Sequence, residues 1–268
     1  MHPIEHLRYV ARSHGADPVE VAFGAAEALA GVTSDPPALL VSARRLVEHH
    51  PSNAQLWTIC AHAVTSIDPR GDITSAVAEM SHDDTAGHLV GALADIDSIT
   101  TVGWSGHLLD ALVRSGAVHA LVVDSLGDGQ DMLRVLSRRD VSCELVAPEG
   151  SGTAAASSDV VVLPVFAVGD DASLAPGGAL ALASTAYCAG RPVWAVAAAG
   201  VRLSQPMFEV MSRISLDRPD PWAAGVDVLP HGLVTRVFSP RGGDGDGSEL
   251  RGLPVPPNAP ELTRSLLP

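Results

Sequence analysis

Gly103-Trp104-Ser105-Gly106 follows an apolar run and opens a helical one, a placement that suits anion chemistry. Backbone N–H groups at a helix start, together with a serine hydroxyl, can cradle a phosphate at the positive end of the helix dipole. The same residues also make a tight strand-to-helix turn with Ser105 as its cap. Asp124-Ser125-Leu126-Gly127, with Gly129, repeats the arrangement after the next apolar run. Parallel strands would put both turns on one carboxyl edge, where open sheets bind ligands. Asp124 there either faces a ligand hydroxyl or caps the following helix. Asp170-Asp171, on the loop before Gly177-Gly178, are either solvated acids or a source of a carboxylate for the site. His107 is the one histidine that this pattern sets beside the edge. The candidate ligand-binding set is Gly103, Ser105, Gly106, His107, Asp124, Ser125, Gly127, Gly129, Asp171, Gly177 and Gly178.

Other chemistries fit less well. Gly103-x-Ser105 on a strand–turn–helix, with acids and His231 downstream, has the outline of a hydrolase nucleophile elbow, but His107 stands where the closing glycine belongs. His49-His50 are adjacent and diverge on a helix, and Asp84 with His88 is a single i,i+4 pair, so no metal site is expected. All 17 basic residues are arginine. The absence of lysine excludes a Schiff-base lysine, a P-loop lysine and any lysine acid or base. No cofactor is implied.

With 31 acidic residues and a net charge of −14 over 268 residues, the chain offers no cationic surface for nucleic acid. Cys60, Cys143 and Cys188 lack CxxC spacing and read as small core residues in a reducing cytoplasm. The first eight residues carry two histidines, Glu5 and Arg8 and no apolar leader, and no run of eighteen apolar residues occurs, so secretion and membrane spanning are not expected.

The elements that must position the candidate residues fall in two blocks. Residues 1–95 read as helical: near 3–14, 18–31, 36–50, 53–66, and one longer helix from about Ile73 to Ala94. Asp17-Pro18 and Asp35-Pro36 place a capping acid before a first-turn proline, and Ser52 with Gln55 has capping-box spacing. From Ile96 the period changes to strand–helix alternation. The apolar runs at 99–102, 120–123, 143–146, 159–163 and 192–196 suit parallel strands covered on both faces, with helices near 106–115, 129–139 and 178–189 and a turn around 151–157. Val226–Val228 and Leu233–Phe238 offer further strands. The expected fold class is α/β, a helical domain (1–95) followed by a Rossmann-like, mostly parallel sheet with helices on both faces (96–239). Residues 240–268, rich in Gly and Pro, read as a flexible tail.

Six segments in order resemble the translation initiation factor 2B alpha/beta/delta-type family, whose relatives include methylthioribose-1-phosphate isomerase and ribose-1,5-bisphosphate isomerase. They are Pro51-Ser-Asn-Ala-Gln-Leu56, Ile99–Leu112, Val122-Val-Asp-Ser125, Asp140–Val146, Gly190–Val196, and Asp227-Val-Leu-Pro230 through to Pro240-Arg-Gly242. The resemblance spans roughly residues 45–240. It implies a ligand phosphate near the Ser105 turn and a homodimer formed through the α/β domain.

The departures bear on activity. No cysteine lies between His82 and Ser105, where the isomerases carry one, and Val162-Leu-Pro-Val-Phe166 replaces their Gly-Ala-Asp. Their Asn-Lys pair falls on Leu174–Gly178, and their Glu-Ser-Arg-Pro arginine is Leu126. With no lysine, and with Asn53 and Asn258 as the only asparagines, the proton-transfer groups of isomerisation are missing. The expectation is a non-catalytic regulatory protein that binds a phosphorylated sugar or nucleotide. A divergent aldose–ketose isomerase using Asp124, Asp170 or Asp171, and an interaction protein with a vestigial pocket, are the alternatives.

Overall fold

The computed structural model describes residues 18–116, 118–217, 219–220, 222 and 225–264; the helix expected near 3–14 lies outside them. Two compact units are formed by the described residues of Met1–His82, Ala199–Asp217 and Pro254–Pro268, and of Asp83–Ala198 and Arg218–Leu253.

The first unit is helical: α1 (Pro18–Ala30), α2 (Pro36–His49), α3 (Ala54–Thr65) and α4 (Pro69–Ser81). Short polar side chains start these helices because the first-turn N–H groups have no helical partner. Asp35 accepts from Ala38 N–H (3.1 Å), Asn53 from Leu56 N–H (3.0 Å) and Asp68 from Gly71 N–H (3.1 Å). Asn53, rather than Ser52, is thus the cap of α3. Gln55 turns inward instead and donates to the Ala199 carbonyl (2.9 Å). α3 is buried almost all round, with Trp57 and Ile59 inaccessible, and is the axis on which α1, α2 and α4 pack.

The helix expected over 73–94 is two helices, α4 and α5 (Thr85–Leu93). Asp83 accepts from the Thr85 N–H (2.9 Å) and hydroxyl (2.5 Å), an Asx-type turn that competes with continued helix. Then follow β1 (Ser98–Val102), α6 (Gly106–Ser115), β2 (His119–Val123), α7 (Asp128–Arg138), β3 (Cys143–Val146), α8 (Ser151–Ser157), β4 (Val160–Val165), β5 (Ala167–Val168), β6 (Ala172–Pro176), α9 (Ala179–Cys188) and β7 (Val193–Ala197). After α10 (Gln205–Leu216), which belongs to the first unit, come β8 (Val226–Pro230), β9 (Arg236–Ser239) and β10 (Gly242–Gly245); α11 (Pro260–Thr263) returns to the first unit.

The main sheet has the order β10-β9-β7-β4-β1-β2-β3 and is parallel except for β10. β1 therefore sits at the reversal of strand order, with β2 on one side and β4 on the other, and its carboxyl end opens at the switch point. A small antiparallel sheet, β5-β6-β8, was not anticipated from the sequence. The core of the unit joins Ile99, Leu108, Leu112, Val122, Met132, Val160 and Val162 to Trp194 and Phe238, whose rings lie 5.2 Å apart.

At the amino edge, Asp159 fastens β4 to β1 by accepting from the N–H groups of Ser98 (2.9 Å) and Asp97 (3.2 Å) and from the Ser98 hydroxyl (3.1 Å). The Ser98 N–H bond, then the hydroxyl and the Asp97 N–H, with Arg191 nearby, outweigh desolvation and hold its carboxyl below the usual carboxylate range. A lowered folded value contributes stability above the ordinary carboxylate range and loses it as pH falls through the lowered value. Asp159→Asn should therefore cost about 1 kcal/mol at neutral pH. Denaturant midpoints compared at falling pH should show that difference shrinking below about pH 4.

Residues 240–264 are packed where a flexible tail is expected from composition. Gly242–Gly245 pairs with β9, and the next residues bury Leu250 and Leu253 in the same unit; farther on, Ala259 and Leu262 are buried in the first unit, where Arg44 donates to the Glu261 carbonyl (2.7 Å). Glycine here reflects close packing: a Cβ on Gly243 would lie 2.5 Å from the Phe238 ring. Leu250→Ala should cost about 2–4 kcal/mol, read as a lowered thermal midpoint; a loop that packs nothing would show no change.

Candidate functional site

Three turns converge at the carboxyl edge: β1 into α6, β2 into α7, and β6 into α9. Gly103 lies in the first, and a Cβ built there would sit 3.1 Å from Pro176 Cβ and 3.8 Å from Ser125 Cβ. Gly178, in the third, faces Val102 in the same way, at 3.5 Å. The structure thus brings together Gly103, Ser105, Gly106, His107, Asp124, Ser125, Gly127, Gly129, Gly177 and Gly178.

Asp171 is separate. It precedes β6, at the opposite end of that five-residue strand from Pro176, about 17 Å away at strand rise. It is exposed and paired with Arg251, whose Nε also donates to the Asp170 carbonyl (2.6 Å). Both acids are withdrawn from the site because the β5–β6 hairpin, which the sequence pattern did not reveal, carries them away from it.

The chemistry of the edge is set by what satisfies the first-turn N–H groups of its three helices. Ser105 Oγ accepts from Leu108 N–H at the start of α6 (3.2 Å). At α7, Asp124 accepts from Gly127 N–H and Gln130 N–H, each at 3.2 Å. At α9, one oxygen of Asp227 accepts from Gly178 N–H and Leu180 N–H, each at 2.9 Å. Two of the three positive helix ends therefore already hold a carboxylate. α7 also carries Asp128 and Asp131 in its first turn, and burial, then Asp131 and Asp124, push the Asp128 carboxyl above its usual range. An incoming phosphate is opposed at α7 and α9 and meets a neutral cap and an exposed Gly106 only at α6.

Gly129 has a packing role. A Cβ there would lie 2.7 Å from both Asp124 Cα and the Val123 carbonyl oxygen. Leu126, where the family motif carries arginine, adopts φ 55° and is 78% exposed, resting against Gly225. The β4 register confirms that Val162–Val165 occupies the strand end, with no carboxylate there. Among the described residues no cluster of three His, Cys, Asp or Glu side chains suits a metal ion, and no helix is long and apolar enough to cross a membrane.

Sequence reasoning missed two participants. Asp227 reaches α9 because β8 pairs antiparallel with β6, and its only trace was its place in the closing Asp-Val-Leu-Pro motif. Asp83 lies 3.0 Å from His107 Nε2, signalled in sequence only by Asp-x-Thr. Gly129→Ala should destabilise the protein by about 1–3 kcal/mol through overpacking, measured by chemical denaturation. Unchanged stability would mean that Gly129 is there for some reason other than packing.

No family model matches the sequence, and no curated protein matches it significantly. The fold, however, is that of solved translation initiation factor subunits. The eIF-2B protein of Pyrococcus horikoshii OT3 superposes with a TM-score of 0.74 at 16% identity, covering 90% of this chain and 96% of that one. From Chaetomium thermophilum, the tetrameric eIF2B-beta2-delta2 complex gives 0.71 at 17% identity, covering 93% of each chain, and eIF2B delta gives 0.69 at 15% identity, covering 88% and 96%. At these identities the likeness establishes a shared fold.

Proposed function

We propose that this chain is a divergent, non-catalytic protein of the eIF2B alpha/beta/delta type that binds a phosphorylated sugar or nucleotide in the cytoplasm and acts as a regulatory homodimer. The shared fold and the six ordered motif segments support the family reading. One structural neighbour is a tetrameric complex, which supports a role within an assembly. The missing lysine and asparagine, and the engagement of Asp124 as a helix cap, count against the isomerase alternative.

The carrying observation is the asymmetry of the three helix starts. A phosphate fits at Ser105 and Gly106, where the cap is a hydroxyl, while the carboxylates of Asp124 and Asp227 suit the hydroxyls of a sugar, which they can accept as hydrogen-bond donors.

Ser105→Asp tests this reading without sacrificing the helix, since aspartate caps as well as serine does. Thermal-shift titrations with ribose 5-phosphate and AMP should raise the melting point of the wild type by several degrees; saturation at a hundred times Kd is worth about 2.7 kcal/mol. The variant should melt as the wild type does without ligand and lose most of the ligand-dependent shift. A retained shift removes the α6 site, and NMR detection of product isomer removes the non-catalytic assignment.

A further inference from the structure

Asp83 and His107 form a carboxylate–imidazole pair that the family resemblance does not assign. Asp83 is 5% exposed at its side chain, and both oxygens are engaged: Oδ1 by the Thr85 N–H and hydroxyl, Oδ2 by His107 Nε2 at 3.0 Å. The imidazole is 24% exposed, and among the described residues no second hydrogen bond reaches its ring. His49 and His82, by contrast, bond the carbonyls of their own helices, at Arg45 and Ala78. Thr85 fixes the carboxylate, the carboxylate fixes the ring, and Nδ1 is left as the open atom, two residues beyond Ser105 on the first turn of α6.

We infer that the Asp83–His107 pair is the proton-dependent cationic contact of this edge, giving it an affinity for phosphate or sulfate esters that is lost when the imidazole is deprotonated. The inference rests on the anion-site reading above. With its proton, the ring donates from Nε2 to Asp83 and from Nδ1 to an anion. Without it, Nδ1 presents a lone pair in place of a donor, the local charge falls by one, and an anion is held less tightly. In a chain without lysine, this is how a cationic donor reaches the α6 turn.

The other charged groups on the elements around α6 are largely committed. His88 on α5 bonds the Ser239 carbonyl (2.9 Å), Asp110 pairs with Arg114 within α6 (3.1 Å), Asp131 with Arg134 on α7 (2.6 Å), and Asp124 caps α7. Among the described residues, Asp84 in the link and Asp128 and Arg138 on α7 are the others on these elements. Asp83 is the positioning residue and His107 the contact.

Inorganic sulfate is the suitable probe, since it stays dianionic across the range in which histidine titrates, so any pH dependence belongs to the protein. Calorimetric Kd values between pH 5.5 and 8.5, for the wild type and for His107→Gln, Asp83→Asn and Ser105→Asp, test the assignment. Glutamine can still donate to Asp83 but cannot change charge. The wild type should lose about tenfold or more in affinity as pH rises, His107→Gln should bind weakly with a flat profile, and Asp83→Asn should show a diminished slope. A pH-independent wild type, or a His107→Gln protein that keeps the wild-type profile, overturns the inference. If Ser105→Asp alone abolishes binding, the α6 site stands and the pair is not part of it. If sulfate fails to bind the wild type at all, both readings fall. Should Asp83→Asn not fold, the His107→Gln profile alone decides.

Discussion

Every helix that starts at the carboxyl edge of a parallel sheet presents N–H groups without helical partners, and whatever acceptor takes them decides what else can bind there. In this protein the acceptors differ among three neighbouring helices. α7 and α9 are closed by the protein's own carboxylates, Asp124 and Asp227, whereas α6 is closed by the hydroxyl of Ser105. A net charge of −14 makes this local distribution decisive, because no lysine and no arginine of the candidate set offsets it. The anion site proposed at α6, the proposed direction of a sugar and the proposed role of a protonated His107 all rest on which helix end is capped without a carboxylate.

The rest of the second unit serves to bring those three ends together. The reversal of strand order at β1 opens the edge, and the parallel pairing of β1 with β2 and β4 levels the turns. The small β5-β6-β8 sheet then swings Pro176 against Gly103 and carries Asp227 to the start of α9. The same hairpin takes Asp170 and Asp171 away to Arg251. One piece of topology thus supplies one acid to the edge and removes two others.

Strands β1, β2, β4 and β7 were legible because each is a largely buried apolar run, and Ser105, Asp124 and the turn glycines were legible because they abut such runs. Contacts made across long sequence separations were not. Asp227 caps a helix 49 residues earlier in the chain, and nothing local marks it for that task. The break between α4 and α5 was hidden because helical periodicity runs through it, while the Asp83–Thr85 turn that interrupts it depends on short-range hydrogen bonds. The packing of residues 240–264 was illegible for a related reason: composition signals what a segment lacks, and Gly243 lacks a side chain because Phe238 fills the space.

The claim on which the account turns is that only the α6 helix end accepts an anion. A crystal structure of the protein soaked in selenate, with anomalous scattering used to locate the selenium, tests it most directly. The account predicts one ordered anion at this edge, bound to the Ser105 hydroxyl and the first-turn N–H groups of α6, with none at α7 or α9. Selenate bound at the start of α7 or α9, displacing Asp124 or Asp227, would contradict it.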